Sequence, residues 1–225
     1  MFPLGSVFLP GDLVPLRIFE PRYVEMMHKL LAGETEVDMS FGCVLIGKGS
    51  EVGGDDQRRD VGVMVHIEQC VVTPEGGYAL VGLAGDILLV DEWLVDEPFP
   101  RARVGFRQNL EAEPEMNTSA ISDLQRRIKS SAEAVDHILL EVQGPNLSSS
   151  DPRDGYLDLE MLDQTQNWVD SLADVLWYVA RHLPAGPELR YDFLSCLTLS
   201  ELVKAVESAI THTQELLAFS KLERD

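Results

Sequence analysis

The hydrophobic pattern of this chain changes its period once, near residue 110, and that switch limits the fold more than any other feature. Before it, apolar residues come in short runs rich in Val, Ile and Leu, broken by Gly and Pro. Val7–Leu9, Val14–Ile18, Phe41–Ile46, Val61–Val72, Tyr78–Leu83 and Ile87–Val90 have the length and composition of strands. Pro74, Glu75, Gly76 and Gly77 between two of these runs predict a hairpin turn, because Gly supplies the positive φ a tight turn needs. Lys48–Asp60 is rich in Gly and Asp and predicts a mobile loop. One helix interrupts the strands. Pro21 suits its first position, and Tyr23, Met26, Met27 and Leu30 follow at helical spacing.

After the switch the spacing is three and four. Ile121, Leu124, Ile128, Ala132, Val135, Leu139 and Val142 form one amphipathic stripe that Gly144 and Pro145 stop. Ser171–Asp174 reads as a capping box opening a helix with Leu172, Val175, Leu176 and Val179, ending near Leu183 and Pro184. Thr198 and Glu201 form a better box, followed by Leu199, Leu202, Val206, Ile210, Thr213 and Leu217 on one side. The expected architecture is α+β: a strand-rich lobe over 1–110, an acidic linker over 111–117 and a helical bundle over 118–225, with no internal repeat.

Charge narrows the partners. The 225 residues carry 18 Lys and Arg against 38 Asp and Glu, a formal net charge of -20. Such a surface repels phosphate backbones and anionic membranes, so neither nucleic acid nor a bilayer is the expected partner. Cys43, Cys70 and Cys196 are scattered and form no CxxC pair, which argues against a zinc ribbon, a redox motif or a secreted disulfide framework. The five histidines offer no HxxxH or HxH pair, so no metal or other cofactor is expected. Pro3, Pro10, Gly11 and Asp12 break the first apolar run, which reads as neither signal peptide nor membrane span. A cytoplasmic setting is expected.

Two stretches, Phe2–Gly11 (FPLGSVFLPG) and Leu13–Tyr23 (LVPLRIFEPRY), resemble the signature of the amino-terminal, substrate-recognition domain of Lon proteases. Val61–Val63, Tyr78–Gly82 with Gly85, Pro100–Val104, Ser171–Asp174 and His182–Pro184 are similar to further parts of that pattern. The resemblance thus runs along nearly the whole chain. It implies a PUA-like pseudobarrel followed by a helical bundle, a stand-alone module that holds unfolded or tagged polypeptide, or a protease or chaperone partner. In full Lon proteases this domain precedes an ATPase and a Ser–Lys peptidase. This chain contains no GxxxxGK[ST] phosphate loop, so the expectation is a binding module and no enzyme. It also has Asp86 and Ile87 where many relatives place Arg after the hairpin Gly.

Candidate contact residues divide between two regions. Phe19, Arg22 and Tyr23 sit in the family string. They serve either as a peptide-contacting surface or, the reading preferred on composition, as packing for the first helix with Arg22 paired to an acidic neighbour. Met26 and Met27 could extend such a surface with adaptable side chains. Trp177 and Tyr178 are adjacent on a helix and point about 100° apart, so one of them is expected to face the other lobe, a partner or a substrate. Trp93 and Trp168 are the remaining large aromatics of interest. An apolar groove between lobes would suit extended segments. Two alternatives stay open: a PUA-like lobe that binds a small molecule or RNA, and a hydrolase built on Ser171 or Ser200, both of which stand in capping contexts. Self-association is also left open.

Overall fold

The computed structural model describes residues 1–34, 39–50, 56–107, 110, 123, 126–130 and 168–222. The strands are β1 (Phe2–Leu4), β2 (Leu13–Ile18), β3 (Ser40–Lys48), β4 (Gln57–Val72), β5 (Tyr78–Trp93) and β6 (Ala102–Phe106). Among the described residues, the helices with defined bounds are α1 (Pro21–Leu31), α2 (Trp168–His182), α3 (Pro187–Ser195) and α4 (Leu199–Leu222), and residues 123 and 126–130 are also helical. The strands form one mixed sheet in the order β1-β3-β4-β5-β2, with β6 pairing β5. Only β1 and β3 run parallel; the other neighbours are antiparallel.

The described chain falls into two compact units that are not continuous in sequence. The first takes Met1–Gln108 and Pro187–Ser195, and the second takes Asn109–Gly186 and Cys196–Asp225. The short helix α3, which the spacing of apolar residues does not single out, therefore belongs with the strands rather than with the other late helices. Arg190 of α3 donates through Nε to the Val7 carbonyl oxygen at 2.8 Å and pairs with Asp12. Arg59 reaches Glu188 at 3.1 Å and lies over the Tyr191 ring. Arg107 donates to the Leu194 carbonyl oxygen at 2.8 Å.

Helix α1 forms where the spacing predicts it. Pro21 occupies its first turn, and the amides of Tyr23 and Val24 bond the Glu20 carbonyl. Its stripe of Tyr23, Met26, Met27 and Leu30 is buried, and burying each such side chain contributes roughly 1.5–3 kcal/mol. Phe2 stacks on Tyr23 at 4.1 Å between ring centroids and meets Phe41 at 5.9 Å, joining α1, β1 and β3 in one core.

Several elements differ from the sequence reading. Tyr78–Leu83 and Ile87–Val90 are parts of one 16-residue strand, because a bulge at Gly85 and Asp86 disturbs the alternation without breaking the ladder. Gln57–Asp60, expected in a loop, extend β4 at its start. Val7 and Leu9 are buried but lie in a connection, not a strand. Helix α2 is already helical at Trp168, the first described residue of that stretch, upstream of the box expected at Ser171. The box at Thr198 is present: Thr198 Oγ1 accepts the Glu201 amide, and Glu201 accepts the amides of Leu197 and Thr198. The linker at 111–117 and most of the helix expected over 121–142 lie outside the described residues.

Candidate functional site: an apolar outer sheet face

Three strands, β2, β5 and β4, lie side by side, and their register sets which side chains share a face. Leu13 stands opposite Leu83, Pro15 opposite Val81 and Arg17 opposite Ala79. On the other side of β5, Leu83 meets His66, Val81 meets Gln69 and Ala79 meets Val71. Directly opposed residues of an antiparallel pair project to the same side. The intervening residues Val14, Ile18, Tyr78 and Leu80 are buried, so the three rows of three form the outer face.

A bulge assembles the third strand of this face. Ile67 faces Gly82 while Gln69 faces Val81, so β4 holds one more residue than β5 at that point. Without the extra residue Gln69 would oppose the buried Leu80, and the alternation of β4 beyond it would be inverted. With it, Gln69 and Val71 join His66 on the outside.

The face is apolar for an exposed sheet. Leu13 is 44% exposed, Leu83 38% and Val71 63%, with Pro15 exposed and Val81 and Ala79 half-buried among them. An outer sheet face normally alternates to polar residues. Phe19, the residue after β2, extends the apolar stripe and is 66% exposed. It sits beside the hairpin turn. A Cβ built on Gly77 would stand 2.2 Å from the Ile18 carbonyl oxygen and 3.5 Å from the Phe19 Cα, so only glycine lets the turn approach there. Gly76, at φ 86, occupies the left-handed region this turn requires.

Two polar members of the face, Arg17 and His66, are engaged. Arg17 pairs with Glu75 of the turn at 3.2 Å, both side chains about two-thirds exposed, which contributes little to stability. His66 Nδ1 shares a 2.8 Å hydrogen bond with Ser40 Oγ.

The residues singled out from sequence separate sharply. Phe19 is at the surface, not packed under α1 as composition favoured, because Ile18 is the last inward residue of β2 and the next one turns out. Tyr23, Met26 and Met27 are 3%, 2% and 0% exposed, so they form core and not contact surface. Their helical stripe packs on the sheet, with Tyr23 stacked on Phe2 of β1. Burial pushes the Tyr23 hydroxyl up to about 12, with the neighbouring Arg22 opposing. Arg22 holds Glu20 at 3.2 Å and lies over the Tyr23 ring at 4.6 Å. Trp177 and Tyr178 belong to the second unit, where Trp177 is buried and Tyr178 half-buried with its ring 4.4 Å from that of His182. Trp93 donates to Asp60 at 3.3 Å and is covered by the Arg58 guanidinium at 4.8 Å. The Trp168 side chain lies outside the described residues.

Leu13, Pro15, Val71, Val81 and Leu83 were missed in the sequence. The available signal was β2 itself: Leu13, Val14, Pro15, Leu16 and Ile18 put apolar groups on both sides of one strand. Among the described residues no group of three His, Cys, Asp or Glu could hold a metal ion. No described helix is long and apolar enough to cross a membrane.

Comparison with known proteins bears on this architecture. No curated protein matches the chain. Among solved structures, a Lon N-terminal domain protein from Xanthomonas campestris is 22% identical, with a TM-score of 0.54 over 93% of this chain and 95% of that one. The N-terminal domain of Mycobacterium avium complex Lon protease is 14% identical, with a TM-score of 0.52 over 93% of this chain and 96% of that one. Both share the fold. Residues 1–212 match the family model described as the ATP-dependent protease La (LON) substrate-binding domain, covering both the sheet that carries the apolar face and the helices that follow. The chain belongs to the LON substrate-binding domain family.

Proposed function

We propose that this protein is a non-catalytic module that holds unfolded or tagged polypeptide, acting as an adaptor in protein quality control or as a competitor of a Lon protease for its clients. The observation that carries the reading is the apolar stripe on the outer face of β2, β5 and β4, in which Leu13, Leu83, Val71 and Phe19 are exposed around the half-buried Val81. Unfolded segments present apolar side chains and unpaired backbone groups together, and an apolar sheet face bordered by an edge strand offers partners for both. Family membership supports the reading, as do the half-open mixed sheet and following helices, which we take as PUA-like strands and a helical bundle. A cytoplasmic setting fits three cysteines that are all free thiols.

The test is fluorescence anisotropy with a labelled, unstructured, apolar peptide. Replacing Leu83 by Asp or Phe19 by Ala is expected to weaken binding by about tenfold, the usual loss when a contact of about 1.4 kcal/mol is removed, with the circular dichroism unchanged. Peptide that fails to bind, or binds both variants as it binds the parent, overturns the reading. Casein incubated with pure protein stays intact; its cleavage would overturn the non-catalytic part.

A further inference from the structure

We propose that the outer face prefers apolar segments flanked by lysine or arginine over the same segments flanked by acidic residues, an inference that rests on the polypeptide-binding reading above. Among the nine register positions and Phe19 the one formal cation is Arg17, and the Glu75 carboxylate 3.2 Å away offsets it. Two carboxylates stand in bulges of the strands that build the face. Glu68 lies in the β4 bulge between Ile67 and Gln69, and Asp86 lies in the β5 bulge between Ala84 and Ile87. Both residues are exposed, and among the described residues neither has an ion-pair partner. By contrast Asp12 is committed to Arg190 and Glu20 to Arg22. The β4 bulge therefore turns Val71 to the surface, and the two bulges hold carboxylates that have no ion-pair partner among the described residues.

Screening decides how far this reaches. At physiological salt charges act over about 8 Å, so carboxylates in the strands that build the face matter more than the remainder of the -20 net charge. Each exposed pair is weak, and such pairs act mainly on partner choice and association rate. A segment with two cations at each end is expected to bind about five to ten times more tightly than its acidic counterpart, like charges being repelled where opposite ones are attracted.

Two fluorescein-labelled peptides with one shared apolar core, flanked by Lys-Lys or by Glu-Glu, test this on the whole protein by anisotropy. Support is a roughly fivefold or larger preference for the lysine peptide at about 50 mM salt that shrinks at about 300 mM, and that falls in the double variant Glu68→Gln with Asp86→Asn. Equal affinities, or a preference that the double variant keeps in full, overturn charge selection at this face while leaving polypeptide binding standing. Failure of both peptides to bind overturns the binding reading together with this one. The double variant replaces exposed carboxylates with isosteric amides, and its unchanged circular dichroism serves as the folding control.

Discussion

Arg190 and Asp12, 178 residues apart in the chain, form an ion pair that fastens α3 to the corner leading into β2. The same Asp12 carboxylate accepts the Leu9 amide at 2.7 Å, and the Asp12 carbonyl accepts the Ala84 amide at 2.9 Å. Arg190 adds its bond to the Val7 carbonyl. The connection between β1 and β2, strand β5 and a distant helix thus meet at one aspartate.

Replacing Arg190 by Ala leaves that carboxylate with its amide but without its counter-ion. The two side chains are 16% and 11% exposed. Breaking a pair of this kind is expected to cost about 2–4 kcal/mol, the low side of the range for buried pairs because some water reaches it. Urea denaturation should show a lower midpoint at unchanged slope. Removing Asp12 as well should cost less than the sum of the two single changes.

Met27 and Leu31 separate core from surface on one helix. Met27 is fully buried, so Met27→Ala should destabilise by about 2–4 kcal/mol. Leu31 is 45% exposed, and Leu31→Ala should stay within about 0.5 kcal/mol. Thermal unfolding of the two variants checks the contrast, and a loss of equal size in both would place Met27 outside the core.

Tyr23 makes stability depend on alkaline pH. Its hydroxyl is pushed up by burial, against the opposing Arg22 guanidinium, from 10.0 to about 12. In that window the unfolded chain has released the proton and the folded one retains it. Tyr23 therefore contributes fully below 10.0, and its contribution is lost as pH rises toward 12. Stability measured across this range should fall in the parent and fall less steeply in Tyr23→Phe.

The cysteines should react in a fixed order. Cys43 lies in register between Phe2 and Val63 in the middle of the sheet, and burial pushes its thiol up to about 12. Cys70 is half-buried, with its thiol raised by burial. A thiol reagent at about pH 8 should modify Cys70 first, whereas Cys43 waits for the strand unit to open. Peptide mass spectrometry over time reads the order, and early labelling of Cys43 would contradict it.

What was legible in the sequence was local. Pro21 with the spacing of Tyr23, Met26, Met27 and Leu30 marks α1, and Thr198 with Glu201 marks the start of α4, because caps and helical stripes involve residues within one or two turns. Register is not local. Gly85 and Asp86 interrupt an apolar alternation yet keep β5 intact, since the ladder with β4 carries across them. Glu68 and Gln69, two adjacent polar residues inside a strand run, were the trace of the β4 bulge. Val7–Leu9 shows the reverse error: its apolar residues are buried as a strand's would be, but Asp12 and Arg190 hold the segment as a connection. Phe19 was visible as an aromatic, but its exposure follows from the close approach of Gly77 to Ile18 across the sheet. The outer face joins the β4–β5 hairpin to β2 through pairings such as Leu13 with Leu83, distant in the chain, and one strand's pattern does not hold them.

The placement of α3 carries a consequence for biosynthesis. A ribosome finishes all six described strands by Phe106 but does not reach the helix that clasps them until Pro187–Ser195. At roughly 5–20 residues per second the interval lasts about 4–18 seconds. Throughout it the nascent sheet lacks Arg190, leaving the Asp12 carboxylate and the Val7 carbonyl to water. Ribosome-bound chains arrested before Pro187 should be far more sensitive to protease than chains arrested well beyond Ser195.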